Sequence, residues 1–394
     1  MITKTHQPTS MFAIVSLHFS PAFISHMIAY AKLARNIGFD TCFLLEDEYL
    51  SFREFSAVGQ VIAARDFFSG QPLRVDFAVI CNSSRLNPLL ASRLRDRGAA
   101  IIYVHHEPLS VWDWNSLRLE GWRQIVRFPI SAYFSARTLR RSSAVLVPSD
   151  RARVEYEKNY RKLNSNVHVL PLLFDAEISS EQVELARGRK TCFGFIGSAS
   201  RGHGFDWFVA FAKYAIRSGS NIQFVIATRR CLRKLLQDDR ELAMYAQEGK
   251  IRIEHGRVMS NQEINEHYLN SFCVWNVYRR STQSGVLPRA FMAGTPVLAR
   301  RIGSFPEFVQ EGLTGEFVDS PGDLTSILEV VEKLRGGVAE YIENCRTKFL
   351  ETFHYEANVG KLSAILESIR QGNEIGIPSD GSNNPIIGKP TECH

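Results

Sequence analysis

The stretch that decides the fold is Arg280-Ser-Thr-Gln-Ser-Gly-Val-Leu-Pro-Arg-Ala-Phe-Met-Ala-Gly-Thr-Pro-Val-Leu-Ala299. A turn at Ser284 and Gly285 precedes a helix that Pro288 opens and Gly294 closes, and the stretch ends in a buried strand. A helix that begins after a small-residue turn presents unpaired backbone N–H groups, which bind anions such as a diphosphate. The stretch therefore predicts a loop–helix–strand unit with an anion site; an ordinary unit without a ligand is the alternative.

Strands and helices alternate along the rest of the chain in the same way. Short apolar runs predict strands, and the amphipathic stretches between them predict helices. The predicted strands are 12–17, 41–45, 77–81, 100–104, 143–147, 167–170, 192–197, 222–227, 251–254, 274–277, 297–299 and 315–318, and the predicted helices include 21–37, 205–218, 289–293, 324–334 and 359–370. Such alternation predicts parallel sheets with helices on both faces.

The length of 394 residues exceeds what one hydrophobic core usually fills, so two domains are expected. We predict an N-terminal Rossmann-like domain over 1–175, a polar linker over 176–190 and a second Rossmann-like domain over 191–352. A final helix over 353–370 precedes a tail, 371–394, whose Gly, Pro, Ser and Asn content predicts disorder. Paired α/β domains bind ligands at the carboxyl ends of their strands, so the site is expected in the central cleft.

Composition and charge are those of a soluble globular protein, with 45% hydrophobic and 22% charged residues. The net charge of +6 fits a nucleic acid, an anionic membrane or a phosphate-bearing substrate without choosing among them. None of the 7 cysteines forms a CxxC pair, which predicts reduced thiols and no zinc site. The N-terminus lacks a signal peptide, and no apolar run reaches the about 20 residues of a membrane span. We expect a cytoplasmic protein whose membrane contact, where it has one, is peripheral.

Three segments, Arg289-Ala-Phe-Met-Ala-Gly-Thr-Pro-Val297, Gly303-Ser-Phe-Pro-Glu307 and Glu311-Gly-Leu-Thr-Gly315, resemble the C-terminal domain of GT-B glycosyltransferases, especially family 4 (group 1). Phe195-Ile-Gly197 opens the second domain as in that family. The resemblance implies two Rossmann-like domains that face a central cleft. It also implies transfer of a hexose from a nucleoside-diphosphate sugar to a glycan or lipid-linked glycan, with retention of configuration and without metal or cofactor. Synthesis of a surface polysaccharide or glycoconjugate is the expected setting.

The chain departs from the family at charged positions. The two glutamates of the family signature fall on Ser281 and Arg289, and its arginine and lysine fall on Ser198 and His203, with Arg201 between them. The residues that we expect to bind the nucleotide sugar are Gly197, Arg201, His203, Ser281, Ser284, Gly285, Val286, Leu287, Arg289 and Glu307. Because both glutamates are missing, two alternatives stay open: a non-catalytic GT-B subunit that binds a partner transferase or a glycan, and a nucleotide-sugar epimerase.

Candidate catalytic residues of the first domain lie in Tyr103-Val-His-His-Glu-Pro108, after a predicted strand. The resemblance places His106 and Glu107 next to the reacting sugar, and a paired imidazole and carboxylate bind hydroxyls or transfer protons. A histidine satisfied by backbone groups at the strand end is the alternative. His18 follows the first strand and is expected on the acceptor side. The glycine-rich dinucleotide fingerprint is missing there, which argues against a dehydrogenase.

Two further segments carry weaker predictions. Residues 111–141 interleave aromatic residues with arginines, which suits either an anionic membrane surface or a buried amphipathic helix with a basic outer face. The acidic run Glu46-Asp-Glu48 follows a predicted strand, where acidic residues commonly solvate a loop, and the chain has no clear Asp-x-Asp motif, so we predict no metal site. No nucleic-acid partner is predicted.

Overall fold

The first domain is built on a sheet of seven parallel strands. In the computed structural model, which describes residues 10–108 and 123–375, their order is β3-β2-β1-β4-β5-β6-β7. These strands are β1 Met11–Ser16, β2 Asp40–Leu45, β3 Gln60–Ala63, β4 Phe77–Ile80, β5 Ala100–Val104, β6 Ala144–Val147 and β7 Val167–Val169.

The second domain repeats this plan with six parallel strands in the order β10-β9-β8-β11-β12-β13. They are β8 Cys192–Ile196, β9 Gln223–Thr228, β10 Ile251–His255, β11 Ser271–Asn276, β12 Val297–Ala299 and β13 Gly315–Phe317. In both sheets a strand in the middle of the order is the first of its domain, which makes each domain doubly wound.

The described α-helices connect these strands. They are α1 Ile24–Asn36, α2 Arg53–Ser56, α3 Ala64–Phe68, α4 Asn87–Arg95, α5 Arg123–Leu139, α6 Asp150–Tyr160, α7 Ser180–Ala186, α8 Phe205–Arg217, α9 Arg233–Asp238, α10 Arg240–Gln247, α11 Asn261–Asn270, α12 Val286–Met292, α13 Phe305–Phe308, α14 Leu324–Gly336, α15 Val338–Thr352 and α16 Val359–Ile375. None of the described helices combines the length and apolar composition needed to span a bilayer.

Each sheet is covered on both faces, because side chains alternate along buried strands. In β1, Phe12 and Ile14 pack into one core cluster, whereas Ala13 and Val15 pack into the cluster on the opposite face. Burial on both sides explains why the strand sequences are continuous apolar runs rather than alternating ones.

The chain crosses between the domains twice, and the two crossings pair with each other. The N–H of Phe174 donates to the carbonyl of Phe353 at 2.9 Å, and the N–H of Tyr355 donates to the carbonyl of Phe174 at 3.0 Å. After the second crossing, Leu362 and Leu366 of α16 pack into the core of the first domain. The last helix therefore ties the end of the second domain to the first.

The predicted architecture of two parallel-sheet domains is confirmed, but several details differ, and helices such as α4, α6 and α11 were not predicted. The edge strand β3 was not predicted because it is short and its first residue is exposed. The polar linker 176–190 contains α7, which begins with a capping box of Ser179 and Gln182. Helix α15 was not predicted as a separate element. Helix α16 runs to Ile375, past the predicted tail boundary at 371, and 376–394 lie outside the described residues.

Candidate functional site

Each sheet has one point at which its strand order reverses direction. In the first sheet this point lies between β1 and β4, and in the second between β8 and β11. The loops that follow these strand pairs leave the sheet in opposite directions, so a crevice opens between them. His18 and Asn82 follow the first pair, and Gly197 and Arg280 follow the second.

A cavity of about 870 Å³ lies where loops of the two domains meet. Most of its lining comes from the loops after β1, β4 and β5 and from α5, whereas the second domain contributes Arg229, Arg280 and Gln283. Of the sequence-predicted residues, His18, His106 and Glu107 line the cavity. The others lie outside its lining and are described below.

His106 is held by both domains. Its Nε2 lies 2.7 Å from the carbonyl oxygen of Cys81, and its Nδ1 lies 3.3 Å from the side-chain oxygen Oε1 of Gln283. A carbonyl oxygen only accepts, so Nε2 carries the ring hydrogen. Burial lowers the pKa of His106, and the hydrogen bond to the Cys81 carbonyl partly offsets that effect. His106 is therefore a neutral imidazole whose Nδ1 is an acceptor.

Two further histidines surround His106 and are more strongly perturbed. The rings of His26 and His106 lie 5.6 Å apart, and Phe23 packs 4.8 Å from the His106 ring. Burial, with a smaller contribution from His106, lowers the pKa of both His26 and His105 to about 3. The cluster thus stays uncharged at neutral pH.

The loop after β1 is fixed by side chains from neighbouring elements. The side-chain amide of Asn82 donates to Ser16 Oγ at 2.7 Å and to the carbonyl of His18 at 2.6 Å. The hydroxyl of Tyr49 donates to the carbonyls of His18 and Ser20, both at 3.1 Å. These hydrogen bonds, rather than a glycine-rich turn, fix the shape of the loop after β1 at the cavity. The side chain of His18 is exposed.

The acidic residues of the run 46–48 do not form a cluster in the structure. Glu46 lines the cavity, whereas Asp47 forms an ion pair with Arg65 at 2.8 Å, outside the lining. Glu107 is exposed beside His106. No group of three His, Cys, Asp or Glu within 10–108 and 123–375 is arranged to hold a metal ion.

The turn after β8 presents an aromatic and a cationic side chain. The ring of His203 stacks on Tyr278 with centroids 4.5 Å apart, and its Nδ1 lies 3.0 Å from the carbonyl of Ser198. Arg201 is exposed, and its Nε lies 3.9 Å from Asp206. Gly197 has φ 131°, a backbone conformation that favours glycine.

The loop before α12 is held against its surroundings by its own side chains. The hydroxyl of Ser281 donates to the carbonyl of Gln283 at 2.6 Å, and Ser284 Oγ lies 3.5 Å from the Tyr278 hydroxyl. Gly303 has φ 56°, and a Cβ there would meet the carbonyl oxygen of Ser281 at 1.5 Å. Only glycine permits this approach. Gly285 caps α12, Val286 begins it as a partly buried residue, and Leu287 is buried.

Arg289 bridges the two domains instead of facing the cavity. Its guanidinium donates to Ser25 Oγ of α1 at 2.7 Å, to Asn261 Oδ1 at 3.2 Å and to Asn265 Oδ1 at 3.1 Å. Glu177 Oε2 lies 3.5 Å away. At the position of the missing family glutamate, the cation is thus satisfied by protein groups from both domains.

Glu307 also acts across the domain boundary. Its carboxylate accepts from the backbone N–H groups of Asp150 at 2.9 Å and Arg151 at 2.7 Å, in the first turn of α6. Next to it, the hydroxyl of Ser149 donates to the carbonyl of Thr282 at 3.2 Å. An N-terminal helix turn of the first domain is therefore capped by a carboxylate of the second.

The sequence did not single out Gln283, Arg229 or Asn82. Gln283 lay inside the deciding stretch but matched no motif, and Arg229 and Asn82 follow strands without forming a pattern. All three residues lie in loops after the carboxyl ends of strands, and this position was the one signal that could have identified them as site residues. Of the segment 111–141 predicted for a membrane, residues 111–122 lie outside the described residues.

Comparison with known proteins agrees with this geometry. Residues 190–335 match the model of the family "Glycosyl transferases group 1". No protein of curated function matches the chain in sequence. Among solved structures, Anabaena HepE in complex with UDP and glucose has a TM-score of 0.67 at 12% identity, covering 91% of this chain and 100% of HepE.

Two other similar structures have the same architecture. The sucrose-phosphate synthase of Thermosynechococcus elongatus has a TM-score of 0.66 at 12% identity, with coverage of 92% and 100% of the two chains. The pneumococcal O-GlcNAc transferase GtfA in complex with UDP and GlcNAc has a TM-score of 0.63 at 11% identity, with coverage of 92% and 100%. These likenesses show the fold, and the family match characterises the second domain. The chain has the two-domain GT-B fold of these structures, and residues 190–335, most of its second domain, match the group 1 glycosyl transferase family.

Proposed function

We propose that the protein transfers a sugar from a nucleoside-diphosphate sugar to a glycan or lipid-linked glycan acceptor, in the synthesis of a surface polysaccharide or glycoconjugate. The observation that carries the proposal is that loops from the switch points of both sheets meet at one cavity, which His106 lines from the first domain and Arg280 from the group 1 domain. The nucleotide belongs to the second domain in this proposal, and the acceptor belongs to the first.

Arginines of the second domain suit a donor that leaves as a diphosphate. Arg229 and Arg280 line the cavity, and Arg201 stands on the neighbouring turn after β8. Departure of a nucleoside diphosphate develops negative charge, which prepositioned cations stabilise. The stacked His203 and Tyr278 rings offer an aromatic surface beside that turn.

His106 contributes a fixed, uncharged ring in this proposal rather than a proton. Its ring is neutral because burial lowers its pKa, and its two nitrogens are engaged by Cys81 and Gln283. A rigid imidazole at the cavity wall packs against the sugar, and positioning of that kind supports transfer. Retention of configuration and independence from metal belong to the proposal on the strength of the motif resemblance.

The decisive experiment incubates the purified full-length chain with a panel of UDP, GDP, ADP, CMP and dTDP sugars and measures sugar transfer and donor hydrolysis. We expect turnover with one donor, unaffected by EDTA, and a product whose anomeric configuration matches that of the donor by NMR. His106→Ala should lower kcat by about a hundredfold, because the misplacement of a reacting sugar costs that much. Nucleotide binding without any turnover would instead favour a non-catalytic subunit.

We also propose peripheral contact with an anionic membrane through the surface formed by α4 and α5. Its exposed apolar residues are Leu86, Leu89, Ile130 and Tyr133, and its basic residues include Arg95, Arg140 and Arg141. Leu86 and Ile130 also line the cavity, so the same surface leads to the site. Two adjacent helices with exposed apolar side chains along them and arginines at their ends suit the headgroup region of an anionic bilayer, where a lipid-linked acceptor would lie.

Vesicle flotation tests this contact. The chain should float with phosphatidylglycerol vesicles and much less with phosphatidylcholine vesicles, and the double variant Arg95→Glu/Arg140→Glu should lose the difference. The matched control Arg53→Glu/Arg74→Glu makes the same charge change at exposed positions outside α4 and α5. Equal recovery of all proteins with both lipids would contradict the proposal.

A further inference from the structure

We propose that Gln283 is a positioning residue that holds His106 from the opposite domain, so that the two domains must be together for His106 to be oriented. The inference rests on the proposed function only for the role of His106 in transfer. The contact itself joins the loop before α12 to the loop after β5.

The bonding capacity of the imidazole determines what Gln283 does. Nε2–H of His106 is used by the carbonyl of Cys81 at 2.7 Å, so Nδ1 of the neutral ring has a lone pair and no hydrogen. The side-chain oxygen Oε1 of Gln283 lies 3.3 Å from Nδ1, and an oxygen that only accepts cannot bond a bare Nδ1. The oxygen and the NH₂ group of an amide exchange places by a half-turn about its last side-chain bond, and only the NH₂ group matches Nδ1. In this proposal the amide is therefore turned so that Gln283 donates to His106 across the domain boundary.

Hydrogen bonds from both domains fix the backbone around Gln283. The hydroxyl of Ser281 donates to the carbonyl of Gln283 at 2.6 Å, and the hydroxyl of Thr282 donates to the carbonyl of His106 at 3.2 Å. Ser149 of the first domain then holds the carbonyl of Thr282 at 3.2 Å. Ser281 stands where the family has a glutamate, and here it orders the loop that carries Gln283.

The groups that face His106 keep its ring uncharged. From α1 come His26 and Phe23, with ring centroids 5.6 and 4.8 Å from that of His106. The loop after β4 contributes the Cys81 carbonyl, and the chain neighbours are His105 and the exposed Glu107. Since burial is the main cause of the lowered pKa, a carboxylate in place of the Gln283 amide would stabilise the imidazolium form.

Histidine side-chain NMR of the full chain, with ¹⁵N-labelled histidine and no substrate, tests the contact. The His106 signals are identified by their loss in His106→Asn. In the wild type we expect a neutral ring that carries its hydrogen on Nε2. The ¹⁵N chemical shift of Nδ1 should be that of a nitrogen that accepts a hydrogen bond. Gln283→Ala should move the Nδ1 signal toward the value of an unbonded nitrogen, and Gln283→Glu should raise the pH at which His106 titrates. The exposed Gln262→Ala is the matched control.

Turnover is measured separately, with the donor identified by the panel. We expect Gln283→Ala to lower kcat about tenfold to a hundredfold with a smaller change in KM, because it misplaces His106 without removing it. Unchanged His106 signals and titration in both Gln283 variants would overturn the inference, even in an active enzyme. Conversely, shifted signals in a chain without turnover would leave the contact established and contradict the proposed function alone.

Discussion

His26 offers the clearest pH dependence at the scale of a single residue. Its folded pKa, lowered to about 3 by burial, lies below the ordinary value of 6.5, so the unfolded chain binds more protons between these values. Stability should therefore be complete above about pH 6.5 and fall as the pH decreases toward 3, by about 1.4 kcal/mol per pH unit for this histidine. Urea unfolding of His26→Asn across that range should show a shallower loss than the wild type.

The exposed Gln262, which does not titrate, provides the control for this measurement. Gln262→Ala should leave the slope of unfolding free energy against pH as it is in the wild type. Because His105 is buried with a similarly lowered pKa, it should retain its own contribution in the His26 variant. Equal slopes in His26→Asn and the wild type would contradict the burial of an uncharged His26.

Glycine is required at Gly303 for two independent reasons. Its φ of 56° is unfavourable for side chains, and a Cβ would lie 1.5 Å from the Ser281 carbonyl oxygen. Gly303→Ala should therefore cost more than about 3 kcal/mol, or prevent folding of the second domain.

Gly312 separates the two reasons, since it has a φ of 78° but nothing within 4 Å of the added Cβ. Gly312→Ala should cost only the about 1–2 kcal/mol of the left-handed conformation. Thermal unfolding of the two variants compares them, and similar losses would show that the contact with Ser281 is not rigid.

At the scale of elements, helix α11 depends on its first turn. Ser260 and Glu263 form a capping box in which each side chain bonds the backbone of the other residue. The helix presents Asn261 and Asn265 to Arg289, so fraying of this end would also loosen the domain boundary. Ser260→Ala should lower the free energy of unfolding by about 1 kcal/mol, measured with urea. Ser218→Ala, an exposed serine at the end of α8, should change it far less.

The elements that were predicted from the sequence are those whose signal is local. Buried parallel strands such as β5 are apolar runs, and Gly294 with the following Thr-Pro ends α12 within its own segment. The edge strand β3 was missed because it has only 4 residues and begins with an exposed glutamine, so tertiary packing decides that it forms. Helix α7 begins with the capping box of Ser179 and Gln182, a short-range signal that the polar composition of the segment obscured.

The candidate site divides in the same way. His106, Glu107 and His18 were found because the carboxyl ends of strands are visible in sequence, and they do line the cavity. The contacts of Arg289 with Ser25 and of Glu307 with α6 join residues far apart in the chain. No motif predicts which domain such a side chain will face, so these contacts became visible only in the folded molecule.

For the whole molecule, the paired crossings and α16 join the domains on one side, and a few polar contacts hold them together beside the cavity. Glu307 caps α6, Ser149 binds the Thr282 carbonyl, and Gln283 binds His106. On another side of the boundary, Arg289 binds Ser25. Polar contacts of this kind separate at modest cost, so GT-B domains that open and close around ligands are expected here.

Glu307→Gln should shift this equilibrium toward separated domains. A carboxylate accepts from two N–H groups, whereas an amide accepts through one oxygen and turns its NH₂ group toward the other donor. Because Glu307 is exposed, losing one of these bonds at the helix N-terminus should cost about 0.3–1 kcal/mol. Solution X-ray scattering should show a larger radius of gyration, and hydrogen exchange should accelerate at Asp150 and Arg151. Glu311→Gln, whose partner Arg301 lies in the same domain, should change neither.

Addition of the donor to the Glu307→Gln variant tests this prediction in a second way. A ligand shifts an equilibrium only by binding one state more tightly than the other. If the nucleotide sugar contacts both domains in the cavity, its addition should restore the wild-type radius and slow exchange in the Glu307→Gln variant. Without ligand, only a fraction of the variant molecules is closed. The apparent affinity of the variant for the donor should equal the affinity of the closed form multiplied by that fraction. A donor that binds both forms equally would leave the radius unchanged, and the cavity would then not be a site shared by the two domains.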